Sequence, residues 1–452
     1  YLLKNNNKIK IHSKDIKSGD VFVALKGKNL HGNKFISEAL RLGSKYVITD
    51  KVPLRIYKVN KIFVIKNVFS FLNEIAVRKR KNYKGKIIGI TGSIGKTSVK
   101  ENLKYFISKK FKVFASIKSY NNYLGVIISL INLDLKSKYA IFELGTNNFN
   151  EIKKLTSMVK PSQVIITNIF PTHLENFLNT RNIAKEKSDI LNDKYNPKVE
   201  LAILPNNNSD EKFIIKKAKK QKISNIITFG RNIDSNIRIS NIVFVGRSEY
   251  KINIIFKEKK IEFSINANQL HRIDNIIICL LIFIYNNISL KLFKSYSVKI
   301  PLIEGRGIKK IIFINNKKIN FIDESYNASP HSMKTCVDYF CDLKINSNQK
   351  KYLIMGEMKE LGEKSLKFHI DLLNYILRKK LENVIICGEL MQIALEKTNN
   401  KSLKFMKSKK SIFEHIKKVM KDDDILLIKG SNSSMTYNLT HEFLLKGENL
   451  TL

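Results

Sequence analysis

The sequence predicts an α/β protein of three domains, in which two doubly wound parallel-sheet units follow a smaller α/β unit. Three observations carry that prediction. Short β-branched runs recur with helical stretches between them, the pattern of βαβ crossovers. A chain of 452 residues is too long for one hydrophobic core and suggests roughly two to four domains. Finally, the pattern restarts after "PLIEGRG" at 301–307, where one Pro and two Gly suit a linker.

In chain order, residues 1–82 hold the strand candidates "VFVALKG", "SKYVITD" and "KIFVIK" around a helix-like "FISEALRLG", a unit small enough to be an accessory domain. Residues 83–300 carry "KIIGI", "KVFAS", "YAIFEL", "QVIITNIF" and "LAILP", interrupted by a more strand-rich excursion at roughly 225–268. Residues 301–452 supply "INFIDE", "KYLIMGE", "NVIICGE" and "ILLIKGS", with "SLKFHIDLLNYILRKK" and "TYNLTHEFLLKG" as helices.

Bulk composition narrows the class. A hydrophobic fraction of 43% with only 7 Pro and 19 Gly describes a packed chain and not a disordered one. The formal net charge of +42 would attract phosphate polyanions or anionic surfaces. The basic residues are nevertheless spread through every segment, and no base-reading signature accompanies them. An excess of Lys, Asn and Ile fits codon bias toward A and T, so no obligate nucleic-acid partner is expected. Cys279, Cys336, Cys341 and Cys387 form no CxxC pair, which points to reduced thiols and a cytoplasmic location. The longest apolar run, "IIICLLIFIY" at 276–285, is about half of a bilayer crossing and reads as a buried helix. No secretory leader opens the sequence, which begins at Tyr1 and not at Met.

The chemistry concentrates in "GKIIGITGSIGKTSVKENL", residues 85–103. A strand, a Gly-rich turn and a helix that begins at a GK[ST] triplet point backbone N–H groups and a helix N-terminus at phosphate oxygens. Gly92 and Gly95 let the chain turn, Lys96 can reach β and γ phosphates, and the Thr97 hydroxyl can join a Mg²⁺ shell. The spacing departs from GxxxxGK, because Ile90 stands where the first Gly would fall. Two other predicted strand ends carry polar residues. Glu143 follows "YAIF" and His173 closes "NIFPTH"; in an open α/β sheet both would meet a nucleotide at the carboxyl ends of the strands.

Beyond this point the residues resemble a known family. "TGSIGKTS", "NNYLGV", "ELGTNNFNEI", "NIFPTHLENF", "AKEKSDI", "HRIDN", "EGRG", "DESYNASP", "GEMKELG" and "KGSNSSM" occur in the order found in the Mur ligases, across nearly the whole chain. "SYNASP" with "GEMKELG" is most similar to the members that add D-alanyl-D-alanine to a UDP-N-acetylmuramoyl tripeptide. The resemblance implies a domain binding the UDP-muramoyl peptide at 1–82, a central P-loop ATPase domain at 83–300, and a Rossmann-like domain at 301–452 that takes the incoming dipeptide. The implied reaction moves the γ-phosphoryl group of ATP onto the peptide carboxylate, after which the dipeptide amine displaces phosphate from the acyl phosphate. Alignment and charge neutralisation would carry it, with no protein nucleophile.

Carried over residue by residue, the resemblance implies ATP contacts from Gly92, Ser93, Gly95, Lys96, Thr97, Ser98, Asn275, Arg306 and Asp323. Mg²⁺ would be held by Thr97, Glu143, His173 and Lys187, the last as a carbamate formed from CO₂, with Lys187 and not Lys185 aligned to the modified position. Lys96, Lys187, His173 and Arg306 would form the catalytic set. Ser13, Asn121, Asn122, Tyr326 and Asn327 would face substrate, although capping of turns competes for Asn121, Asn122, Asn275, Asp323 and Asn327. The implied partners are the two small-molecule substrates, with no membrane span and a monomeric state, and the third domain is expected to close on the second when ATP binds.

The family pattern is broken in places. The uridine-side triplet reads His12, Ser13, Lys14, an expected Asn is Ser329, an expected Gly is Asn150, and an expected Arg is Asn432. Competing readings are a sister ligase or a folylpolyglutamate synthetase, which would lack this first domain, and, more distantly, a basic P-loop ATPase stimulated by nucleic acid.

Overall fold

The computed structural model describes residues 8–27, 30–51, 59–117, 119–246, 248–303, 305–398, 403–446 and 449–451. Glu304, in the predicted linker, lies outside them. Among the described residues the strands form three sheets, of four, nine and seven strands, one for each domain of a three-domain α/β architecture.

The N-terminal sheet is parallel throughout and includes Val21–Ala24 and Tyr46–Thr49, whose side chains are almost wholly buried. Burial on both faces explains why these strands read as continuous apolar runs and not as alternation. The central sheet is parallel from Val113–Ala115 across to Asn225–Phe229 and on to Ile237–Gly246, and it ends in an antiparallel meander, Ile237–Gly246, Glu249–Phe256 and Lys259–Asn266. The strand-rich excursion expected at 225–268 is thus an edge extension of the same sheet. In the C-terminal sheet, five parallel strands are extended at one edge by Ile308–Ile314, antiparallel to them, and then by Asn449–Thr451, antiparallel to Ile308–Ile314.

Helices cover both faces of the central sheet, producing two apolar layers. The helix Ile273–Tyr285 forms much of one, with Ile276–Phe283 buried. Together with the 3₁₀ turn before it, Ala267–Tyr285 is the helical run among the described residues that has the length and hydropathy to cross a membrane. Its burial against Lys96–Ser108, through Phe106 and Phe283, makes it a core helix.

Candidate functional site

The central strand Lys86–Thr91 lies between Tyr139–Glu143 and Gln163–Ile166, parallel to both. The chain leaving it runs to Val113–Ala115 on one side and the chain leaving Tyr139–Glu143 runs to Gln163–Ile166 on the other, so a crevice opens above their carboxyl ends. A cavity of about 440 Å³ occupies that crevice, walled by the central and the C-terminal domains together.

The turn at its floor depends on two glycines. Gly92 has φ 141° and Gly95 φ 87°, backbone that side chains rarely tolerate. Space is as decisive, since a Cβ would fall 1.9 Å from Thr167 Oγ1 at the first and 2.7 Å from Asn275 Oδ1 at the second. The segment beyond the neighbouring strand fixes the turn. Ser93 N–H donates to Asn168 O at 3.0 Å, Ile94 N–H to Asn168 Oδ1 at 2.9 Å, and Ser93 Oγ to Phe170 O at 2.9 Å. Lys96–Ser108 then starts with no side-chain cap on its first N–H groups, so the positive end of the helix dipole faces the cavity.

Side chains from several segments converge there. Lys96 Nζ donates to Gly92 O at 2.8 Å and Ser93 O at 3.3 Å. Burial holds its ammonium below the ordinary lysine value, with Arg306 adding to the shift and Glu143 opposing it. Thr97 Oγ1 donates to Glu143 Oε2 and Asn121 Nδ2 to Glu143 Oε1, each at 2.8 Å. From the C-terminal side, Arg306 donates to Thr97 Oγ1 at 3.2 Å and lies 4.7 Å from the Tyr326 ring. Tyr326 in turn donates its hydroxyl to Ser119 Oγ at 2.8 Å.

Lys187 closes the helix Thr180–Lys187 and is 1% exposed, whereas Lys185 faces solvent. Burial first and Lys96 second push its amine well below the ordinary lysine value, against Glu186. Glu186 is already occupied, accepting the N–H groups of Asn150 at 2.7 Å and Ile152 at 2.8 Å. The shift favours the neutral form of this interior amine beside the phosphate loop.

The cavity gathers Ser93, Gly95, Lys96, Thr97, Ser98, Asn121, Glu143, His173 and Asn275 from the central domain, and Arg306, Tyr326 and Asn327 from beyond it. Gly92 contributes its carbonyl to Lys96 from behind. Asp323 does not line the cavity. Alternation along Lys317–Glu324 turns Glu324 toward it instead. Asp323 is buried and accepts the Ser325 N–H at 3.0 Å and hydroxyl at 2.7 Å. Asn122 also lies off the cavity lining and is engaged as a helix cap, accepting Gly125 N–H at 2.9 Å. Ser13 sits buried in the 3₁₀ turn Ser13–Asp15 of the N-terminal domain, apart from the cavity.

Two departures from the family pattern are absorbed locally. Ser329 caps Pro330–Asp342 in a capping box with Ser332, work an Asn does equally well. Asn150 adopts φ 68°, a conformation that Asn enters more readily than most side chains, so it replaces Gly at modest cost.

Several cavity residues were not singled out by the sequence, because most of their partners come from the other domain and the rest from distant strands. Arg272 donates to Glu324 Oε1 at 2.5 Å across the domain boundary, and Lys429 lies 3.6 Å from Glu324 Oε2. Burial alone would raise the Glu324 carboxyl, but Arg272 and Lys429 hold it below its ordinary value. The Phe170 and His331 rings stack at 4.0 Å, and Glu360 Oε2 lies 2.5 Å from His173 Nδ1. The third domain is therefore already seated against the second in this structure.

Residues 7–82 match the Mur ligase family catalytic domain, 90–283 the Mur ligase middle domain, and 312–432 the Mur ligase glutamate ligase domain. A UDP-N-acetylmuramoyl-tripeptide–D-alanyl-D-alanine ligase of Rickettsia prowazekii is 36% identical over 94% of this chain and 93% of its own. Among solved structures, MurF from Acinetobacter baumannii superposes with a TM-score of 0.78 at 24% identity, covering 97% of this chain and 93% of that one. MurF ligase from Thermotoga maritima in complex with ADP gives 0.77 at 24% identity, covering 98% of each.

Proposed function

The chain belongs to the Mur ligase family, and from that premise we propose how its cavity joins D-alanyl-D-alanine to a UDP-N-acetylmuramoyl tripeptide at the expense of ATP. The observation that carries the reading is the meeting of Lys96, Thr97, Glu143 and Arg306 at an uncapped helix start between two domains. The uncapped N–H groups and Lys96 hold the triphosphate. Arg306, reaching Thr97 from the third domain, neutralises charge as the γ-phosphoryl group passes to the peptide carboxylate. Domain contact excludes water from the acyl phosphate that results.

Among the described residues no three His, Cys, Asp or Glu side chains form a self-contained metal cage. The Thr97 hydroxyl and Glu143 carboxylate, 2.8 Å apart, instead suit a hard cation that completes its shell with phosphate oxygens. Mg²⁺ would be held there by Thr97 and Glu143, with His173 and a carbamate of Lys187, and it would neutralise phosphate charge. Burial supports the carbamate, because a neutral amine is the form that captures CO₂, and an anionic oxygen ligand then replaces a cation's repulsion. In ¹³C-bicarbonate a carbamate carbonyl resonance is expected that Lys187→Ala removes. The Asn121 contact with Glu143 supports a place for the muramoyl peptide beside the metal site. A cytoplasmic monomer accords with the reading.

The deciding measurement is phosphate release. It should require ATP, the tripeptide nucleotide and the dipeptide together, and Lys96→Ala should reduce it at least about a thousandfold. Release stimulated by DNA or RNA and indifferent to the two substrates would sink the ligase reading.

A further inference from the structure

We propose that Glu360 is the seat of the incoming amine, holding the ammonium of the second substrate at the cavity; the inference rests on the ligase reading. Two of the other carboxylates on the cavity wall have standing hydrogen-bond partners. Glu143 accepts from Thr97 and Asn121, and Glu324 from Arg272 with Lys429 beside it. Desolvation raises the Asp274 carboxyl and so disfavours the charge an ammonium needs, with Arg231 opposing. Glu360 is different, since its half-exposed side chain crosses from the third domain and meets His173 of the second.

The loop that carries it is built to present that one carboxylate. His369 accepts the Met358 N–H at 3.0 Å, and Glu357 turns inward to accept Leu390 N–H at 2.8 Å and to pair with Lys359. Glu360 then takes a left-handed backbone, φ 63°, and Gly362 at φ 59° packs so closely on Glu175 that a Cβ would lie 3.0 Å from its Cα. The chain is thus fixed before Glu360 by contacts within the third domain and after it against Glu175 of the second, while Glu360 itself crosses to His173.

Charge gives the seat its purpose. Lys96, Arg306, Arg272 and Lys429 all face this cavity, in a chain of net charge +42. Those cations suit a triphosphate and a carboxylate but repel a substrate arriving as an ammonium, for which an exposed carboxylate at short range is the natural counter-charge.

Steady-state kinetics of Glu360→Gln on the full chain test this. The KM for D-alanyl-D-alanine should rise about tenfold, while the KM values for ATP and the tripeptide nucleotide move less than about twofold. Glu360→Asp, which tolerates the left-handed backbone and keeps the charge, should recover part of the loss. Propionyl-D-alanine, which lacks the amine, should inhibit wild type and Glu360→Gln equally. An unchanged dipeptide KM, a parallel rise in all three KM values, or weaker inhibition by propionyl-D-alanine in the variant would each overturn the seat alone. A wild type that releases no phosphate with both substrates overturns the ligase reading and the seat together.

Discussion

The central and C-terminal domains both end parallel strands in glycine-marked turns, yet those turns act on helix starts in opposite ways. In the central domain Lys96–Ser108 begins at Gly95 with no side chain on its first N–H groups. In the C-terminal domain the turn after Lys351–Met355 sends Glu357 to the N–H of Leu390, so a carboxylate of the chain itself fills the start of Glu389–Thr398. Ser329 and Ser408 likewise cap Pro330–Asp342 and Lys409–Val419. A doubly wound sheet builds a crevice wherever its connections diverge, but an anion is admitted where the helix start is left open.

The sharpest way to break that contrast is to close the open end. Gly95→Ala places a side chain at φ 87° and pushes it to 2.7 Å from Asn275 Oδ1, so either the turn or the Asn275 wall must move. The affinity for ATP should fall about a hundredfold, read by calorimetric titration, with the folded state retained. Retention of wild-type affinity would show that the geometry of this turn does not select the phosphate.

The reciprocal change opens a filled end. Glu357→Ala removes the acceptor of Leu390 N–H and should cost about 1–2 kcal/mol in urea unfolding, the range of a lost cap. Affinity for ATP should stay within about twofold, because Glu357 lies outside the cavity wall. The dipeptide KM should rise modestly as the loop carrying Glu360 loosens. Equal losses of ATP and dipeptide binding would contradict the division of labour between the domains.

The same contrast explains what the sequence discloses. The phosphate loop is legible because its demands are local: Gly92 and Gly95 must be glycine for their own backbones, and Lys96 follows within one turn. The strands are legible because burial on both faces leaves continuous apolar runs. Motifs that work across the domain boundary are legible as motifs only. Nothing in "GEMKELG" tells that Glu357 turns inward and Glu360 outward, because Gly388 and His173, more than 25 and 180 residues away, decide it. Asp323 lies off the cavity wall for a related reason, since a shift of one residue along a strand exchanges the face that meets the cavity. The antiparallel strand Ile308–Ile314 was hidden for the same cause, its partners being set by tertiary pairing.

The smallest expected effect separates the ties that hold the two turns. The phosphate loop is fastened by Asn168 and Thr167, which carry no titratable proton, whereas the turn of the third domain is fastened by His369. His369 is fully buried; its Nδ1 faces Ser365 O at 2.7 Å while Nε2 accepts Met358 N–H, an arrangement that requires the neutral ring with its proton on Nδ1. Burial is the main cause holding it below the ordinary histidine value, with Lys359 adding to the shift and the Ser365 carbonyl and Glu357 opposing. Above about pH 6.5 the ring is neutral in folded and unfolded chains and adds no slope. Below that, the unfolded chain takes up a proton the folded chain refuses, so stability falls as pH drops toward the folded value, by at most about 1.4 kcal/mol per pH unit. His369→Gln keeps an acceptor for Met358 N–H but cannot titrate, so its urea midpoint should change less between pH 6.5 and 5 than that of wild type. Identical pH dependence in the two proteins would show that protonation breaks nothing here, and that the turn bearing Glu360 is held by Glu357 and packing alone.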